Sequence, residues 1–488
     1  MEKSQTKGMK ILSIILATLV GGFMWRCRGE SGWGSSWGLY SVGLMLILLI
    51  YHFYGKRKGM KYELIPIGAL LTGLGVTGYA TVIHQMSGVL GSDLPYPMNG
   101  TTETFLPIDP YSGMAIILIM GFTLVPFFSF FVGTLFSKKE FKIQHYIIAI
   151  AIFFAVSYLV KATIAHPILK AINPDQVECA ALGLKEYGFN YASPAEAYMK
   201  HFGNRGWTQD IAFFENYYMS IEHIGDLFAT VAVMLYPLIA FKDKVTTGVA
   251  LIINAGTSIV TTAMTSLLIL PFDTGLLADV TAPRPLIGSN WGLWEFSTGA
   301  GVGFFTMLAI AILPNALTKQ SEPDTAPFID NEKFGKLINL LATVFVFGVV
   351  PMRIIGIRFG KLLGNFGVVE DGGDLGDILA IVFGVIAGII LLIAVVKNFK
   401  SGNVIAIKKT PDKFAFGLFP KYLALCAVAY FFLNHGYLIT MPYGEMTSLS
   451  KAAYILTSPE QFETFVMLIC LALILALYIP VRKKLKKA

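Results

Sequence analysis

Charge is scarce in this chain, and the places it avoids are as informative as those it occupies. Asp, Glu, Lys and Arg make up 14% of 488 residues while hydrophobic residues make up 55%, far too much apolar surface for a soluble globule. Only four cysteines occur. Cys27, Cys179, Cys426 and Cys470 are scattered, with no Cys-x-x-Cys pair and no metal-ligand spacing, so no metal is predicted from them. There is no P-loop, dinucleotide fingerprint or His-Glu-x-x-His, which argues against ATP-driven transport by this chain alone and leaves any cofactor unknown. The first apolar stretch lacks a small-residue cleavage site, because Trp25-Arg26-Cys27-Arg28 follows it; it reads as a membrane anchor rather than a signal peptide.

What the sequence does have is twelve long apolar stretches, at roughly 9–25, 37–54, 64–84, 111–136, 145–164, 219–241, 245–270, 294–316, 335–352, 378–396, 420–435 and 462–480. Most approach the ~20 residues needed to cross a hydrocarbon core about 30 Å thick. Backbone groups in lipid must be satisfied internally, and continuous rather than alternating apolar runs exclude a barrel. The expected fold is therefore all-α, a polytopic membrane bundle of about twelve transmembrane helices. Of 38 Lys and Arg, 26 fall in the termini and in alternate loops such as Lys56–Lys61, Lys138–Lys142 and Lys397–Lys421. The positive-inside rule then places both termini in the cytoplasm and the chain in the cytoplasmic (inner) membrane, with membrane lipids as partners. It also accounts for the net charge of +7 without nucleic acid as a partner.

The chain divides near Lys244 into 1–243, carrying an extracytoplasmic cap loop at about 165–218, and 244–488. Six spans on each side permit a parallel six-plus-six duplication, a known transporter plan. Two motifs support it: Gly32-Trp33-Gly34-Ser35-Ser36-Trp37-Gly38 after the first span and Gly288-Ser289-Asn290-Trp291-Gly292-Leu293-Trp294-Glu295 after the seventh. The cap exceeds what a hairpin needs, and long ordered loops are often lids. Cys27 and Cys179 both fall on the outer side, where pairing is open.

Ionisable residues near the spans cluster toward the outer face. Because a charge in the bilayer costs about 3 kcal/mol on insertion scales, such groups line a cavity or pair. Glu222 and Asp226 share a helix face and His223 neighbours Asp226, so His223 with either acid is a candidate general base; a helix dipole favouring acids is the plainer account. Glu295 is a second acid/base candidate. Arg26 and Arg28, beside Glu30 and a Gly-rich segment, suit phosphate or carboxylate, against the alternative of headgroup contact. Arg284 and Arg358 would join them, with Trp294 as an aromatic platform or a belt residue. Asn254, Ser258, Thr261, Thr262 and Thr265 form a polar stripe in span seven, read first as helix packing and alternatively as a sodium site. Asp371, Asp374 and Asp377 lack the terminal Glu of an EF-hand loop.

Gly364-Asn365-Phe366-Gly367-Val368-Val369-Glu370 resembles the Gly-Asn-Phe-x-x-x-Glu core of bacterial prolipoprotein diacylglyceryl transferases, and His435-Gly436-Tyr437-Leu438 resembles that family's His-Gly-Gly-Leu. The resemblance implies an outward site handling a diacylglyceryl group, with Asn365, Glu370 and His435 contacting substrate. It departs from the family in having Leu362 where the family has Arg, in motif order and in chain length. The leading expectation is a membrane-embedded enzyme whose outward cavity binds an anionic, lipid-linked substrate for group transfer or hydrolysis. A secondary transporter of a small anionic or polar solute is the chief alternative, and a noncatalytic assembly or sensor protein the third. Oligomeric state is not legible.

Overall fold

A computed structural model of the chain describes residues 7–29, 35–55, 64–75, 110–204, 214–269, 290–316, 332–370, 372–399, 411–434 and 459–487. Every regular element among them is helical. In chain order these are α1 (Lys7–Gly29), α2 (Ser35–Ile50), α3 (Ile65–Gly73), α4 (Pro110–Thr123), α5 (Pro126–Phe136) and α6 (Ile143–Thr163). The short helices α7 (Ala165–Ile172), α8 (Pro174–Glu186) and α9 (Pro194–Lys200) follow. Then come α10 (Phe214–Phe241), α11 (Lys244–Met264), α12 (Asn290–Ala316), α13 (Glu332–Val344) and α14 (Val350–Asn365). The last three are α15 (Gly372–Phe399), α16 (Pro411–Val428) and α17 (Pro459–Lys487).

Eight of the described helices are long and apolar enough to cross a membrane, or nine if the bent pair spanning Met114–Phe136 counts as one span. Gly38–Tyr54 and Gly417–Phe431 are apolar but shorter, and the expected span at 64–84 is described only as far as residue 75. The stretch at 111–136 was expected to be continuous. It breaks instead between α4 and α5 with a bend of 45°, because Pro126 has no N–H for the carbonyl of Phe122 and its ring disfavours helical backbone just before it. Single turns of π-helix extend α2, α11, α13 and α16.

The tightest seam joins α1 to α12 across the midpoint of the chain. They run antiparallel, since Lys10 near the start of α1 donates to the carbonyl of Ala311 near the end of α12. Small residues let the backbones touch: a Cβ on Gly21 would lie 2.3 Å from the carbonyl oxygen of Gly299, and one on Gly303 would lie 1.9 Å from that of Ala17. Membrane helices associate through such close approach because lipid offers no hydrophobic drive between them. Gly303→Val is therefore expected to remove most of the monodisperse protein on size-exclusion chromatography. Gly8→Ala, which meets nothing within 4 Å, serves as the silent control; equal yields would sink the seam.

A similar seam joins α14 and α15, where Gly356 and Gly360 face Ala380 and Gly376. The rest of α15 shows its surroundings a row of exposed apolar side chains including Ile378, Ile381, Val385, Ile389 and Ile393, as a lipid-facing helix should.

Between α6 and α10, α7 to α9 form a cap whose Leu169, Ala180, Leu184, Ala197 and Tyr198 share one apolar cluster with Val160 of α6 and Tyr217 and Ile221 of α10. Its second and third helices, α8 and α9, start on side-chain caps: Asn173 accepts from the backbone N–H of Gln176, and Ser193 from that of Glu196, each with proline at the first helical position. These satisfy otherwise orphaned donors. Gln176 in turn accepts from Ser220 Oγ at 3.0 Å, tying the cap to α10.

Candidate functional site: two buried charge clusters

One cluster lies where α1 ends and α12 begins. Arg26 Nη1 meets Glu295 Oε2 at 2.7 Å, with the two side chains 8% and 3% exposed. Arg28, also buried, lies with its guanidinium 5.2 Å from the centre of the Trp25 ring, a cation–π arrangement. Arg358 on α14 is buried too. The sequence reading expects these arginines to line an outward cavity or to pair; the structure buries Arg26 and Arg28 at the end of α1 and Arg358 within α14. Trp294 is buried and donates from Nε1 to Thr265 Oγ1 at 2.9 Å, so it fastens α12 to α11 rather than offering a platform.

The second cluster was only half visible in the sequence. Glu222 and Asp226 do share a face of α10, but they serve a residue not singled out there. Lys161, in the last turn of α6, puts its ammonium 2.6 Å from Glu222 Oε2 and 3.1 Å from Asp226 Oδ1. Ser157, one turn earlier, donates to Asp226 Oδ1 at 2.7 Å, and Tyr198 of the cap donates to Glu222 Oε1 in a short hydrogen bond. Gly225 makes the room: a Cβ there would fall 2.4 Å from Lys161 Cγ. His223 is buried on the same turn. The two acids expected to orient it instead flank Lys161, which leaves the group with one more negative than positive charge.

Of the other expected site residues, only Glu370 has a described side chain. Glu370 is exposed in the turn after α14, where Gly367 takes the left-handed φ of 67°. Asn365 is the last residue of α14, its side chain outside the described set. Glu30, Arg284 and His435, like Asp371, lie outside the described residues. Asp374 and Asp377 are exposed, and Asp377 approaches Arg353 at 3.9 Å. Cys27 and Cys179 are each free and buried, on α1 and in the cap respectively, so they do not pair. No protein-family model, curated protein or solved structure matches the chain. Function must be argued from the geometry alone.

The helix between the clusters matters for that geometry. Along one side α11 packs on α12, Gly256 against Phe305 and Gly301 against Val260. Along the opposite side it packs on α4, α5 and α10, with Ser258 Oγ donating to the carbonyl of Leu118 at 2.5 Å and Asn254 Nδ2 to Ser129 Oγ at 2.9 Å. The arginine cluster and the lysine cluster thus stand on helices that α11 keeps apart.

In the cap, burial and the neighbouring Lys170 hold the His166 imidazole below its ordinary value, while its Nδ1 meets Tyr217 OH at 2.7 Å. Burial and Lys200 do the same to His201, which bonds Tyr191 through Nε2 at 2.8 Å. A histidine depressed in the folded state is proton-free there while the unfolded form still binds protons, so the stability it contributes is full above the unfolded value near 6.5 and is lost as pH falls through it. Amide protection factors across 166–201, corrected for the intrinsic pH dependence of exchange, should fall between about pH 7 and pH 5.5. His166→Gln should flatten that dependence; an unchanged slope in the variant would discharge His166 from the role.

Proposed function

We propose that the protein is a secondary transporter for a small anionic solute, with the solute held at the Arg26, Arg28 and Arg358 cluster. One observation supports this over the enzyme reading: His223, Glu222 and Asp226 lie across α11 from the anion-binding arginines, and the remaining acid/base candidate, Glu295, is already engaged with Arg26. A general base must come within hydrogen-bond reach of the atom it deprotonates. His223, Glu222 and Asp226 on α10 and Arg26 on α1 do not meet that requirement together. Transporters, by contrast, place solute and coupling groups at separate points in a bundle and link them through helices that move together, often with a discontinuous one among them. The break at Pro126 and the π-helical turns suit such motion. In this reading the chain has twelve spans with both ends in the cytoplasm of the cell that makes it, the halves 1–243 and 244–488 derive from a parallel duplication, and the cap covers the outer approach.

Membrane-embedded group transfer or hydrolysis on a lipid-linked anion is the second reading. It is favoured by the direct contact of Glu295 with Arg26, which puts one acid beside one guanidinium where a phosphate could sit.

The two part on a single preparation. Purified protein in proteoliposomes should take up one of a panel of labelled organic anions and phosphate esters saturably and release it chemically unchanged. Arg28→Lys keeps the charge but loses the planar fork, and uptake should fall at least tenfold. Chemical conversion of the ligand in detergent, with no vesicle present, would replace transport by the second reading.

A further inference from the structure

The side of α11 that faces the broken helix carries oxygen atoms with nothing to bind. Thr257 Oγ1, Thr261 Oγ1 and Asn254 Oδ1 are fully buried and have no hydrogen-bond partner among the described residues, and neither does Thr230 Oγ1 on α10. The ordinary refuge of a helical threonine is the carbonyl one turn back. Thr262, Thr265 and Ser266, on the same helix and its π-helical extension, take it, donating to Ser258, Thr261 and Thr262 at 2.8, 2.7 and 2.9 Å. Thr257 and Thr261 do not, so their hydroxyls point away from their own backbone.

The contacts on either side fix what they face. Asn254 bonds Ser129, in the first turn of α5, while Gly121 of α4 sits against Ser258 and Thr261, a Cβ there lying 2.7 Å from Ser258 Cα. The interval 254–261 of α11 therefore lies across the break between α4 and α5, where the carbonyl of Phe122 has lost the donor that Pro126 cannot supply. Asn254 is held with its oxygen free. Ser129 spends its hydroxyl hydrogen on the carbonyl of Pro126 at 2.9 Å and can only accept, and the Asn254 amide nitrogen faces it and Met234 Sδ. Met234 lies one turn from Thr230 on α10, which brings that hydroxyl to the same junction.

A buried polar group left unsatisfied is destabilising, and here several converge with an interrupted backbone deep in an apolar bundle. All are neutral oxygen donors. Hard oxygen ligands suit alkali and alkaline-earth cations, and the absence of a carboxylate among these donors favours a single charge. We propose that this junction is a binding site for a monovalent cation, Na⁺, held by Thr230, Asn254, Thr257, Thr261 and the carbonyls of the α4–α5 break. If the chain is a transporter, the bound Na⁺ is its coupling ion; binding itself is independent of that reading and is measured with no solute present.

The test is thermal unfolding of the full chain in phosphatidylcholine nanodiscs with sodium, potassium or choline chloride at matched ionic strength, together with equilibrium binding of radioactive ²²Na⁺. Na⁺ should raise the melting temperature by several degrees over choline, and more than K⁺ does. Thr257→Val with Thr261→Val should abolish the shift and reduce ²²Na⁺ binding at least tenfold, yet melt in choline at or above the wild type, because two unsatisfied hydroxyls have been removed. Thr257→Ser should keep the shift. Equal melting of the wild type in sodium and choline with no saturable ²²Na⁺ binding would overturn the site. So would a sodium shift that survives in the double valine variant. Saturable Na⁺ binding without sodium-dependent uptake of any anion would retain the site and sink the transport reading.

Discussion

Replacing Lys161 by Met is expected to be among the most damaging single changes in the molecule. It leaves Glu222 and Asp226 facing each other across Gly225 with the ammonium gone, and two carboxylates in an apolar bundle cannot both stay ionised cheaply. Removing one partner of a buried ion pair costs about 3–5 kcal/mol; the 25% exposure of Glu222 puts the expected cost toward the lower end, since water screens that partner. The melting temperature in detergent should fall by about 5 °C or more. The decisive comparison is the triple variant Lys161→Met, Glu222→Gln, Asp226→Asn. With no charge left to neutralise it should recover most of the loss, and Tyr198 should still bond residue 222. If the single variant melts with the wild type, the three groups are not an energetic unit.

The second large effect separates holding the fold from binding a ligand. Arg26→Leu takes from Glu295, 3% exposed, the guanidinium that meets it at 2.7 Å, and should cost about 3–5 kcal/mol on the same grounds. Arg26→Leu with Glu295→Leu removes both charges, and replacing a buried pair with apolar groups is often neutral for stability. The double variant is therefore expected to fold and melt near the wild type while losing anion uptake entirely. Uptake that persists there would move the anion site away from Arg26, whatever happens to stability.

Much of the architecture was readable because apolar runs of span length leave little freedom: the described long helices cover the expected stretches, although the one expected at 335–352 runs on to Gly364. The break at Pro126 was also written in the sequence, but it is local, and a window long enough to find a span averages over it. Of the site, Glu222 and Asp226 were found by their spacing of four on a helix. Their partner was not. Lys161 lies in the last turn of an apolar helix, and that was the available signal: a lysine buried at the end of an apolar span needs carboxylates. The Arg26–Glu295 contact joins positions 269 residues apart and has no periodic signature, so no pattern along the chain could announce it. Trp294 was read as interfacial because tryptophans usually are; only its bond to Thr265 places it in the packing.

The same separation sets a problem for the ribosome. At roughly 5–20 residues per second, Glu295 is synthesised about 13–54 s after Arg26, so for that interval the first helix carries its guanidinium at the membrane with its eventual partner not yet made. A chain in that condition has to park Arg26 on phosphate headgroups or on the insertion machinery and then surrender it when α12 arrives. Biogenesis is then expected to include an exchange of ion partners, and a pulse-chase assay should show α1 settling into protease resistance only after residue 295 has emerged.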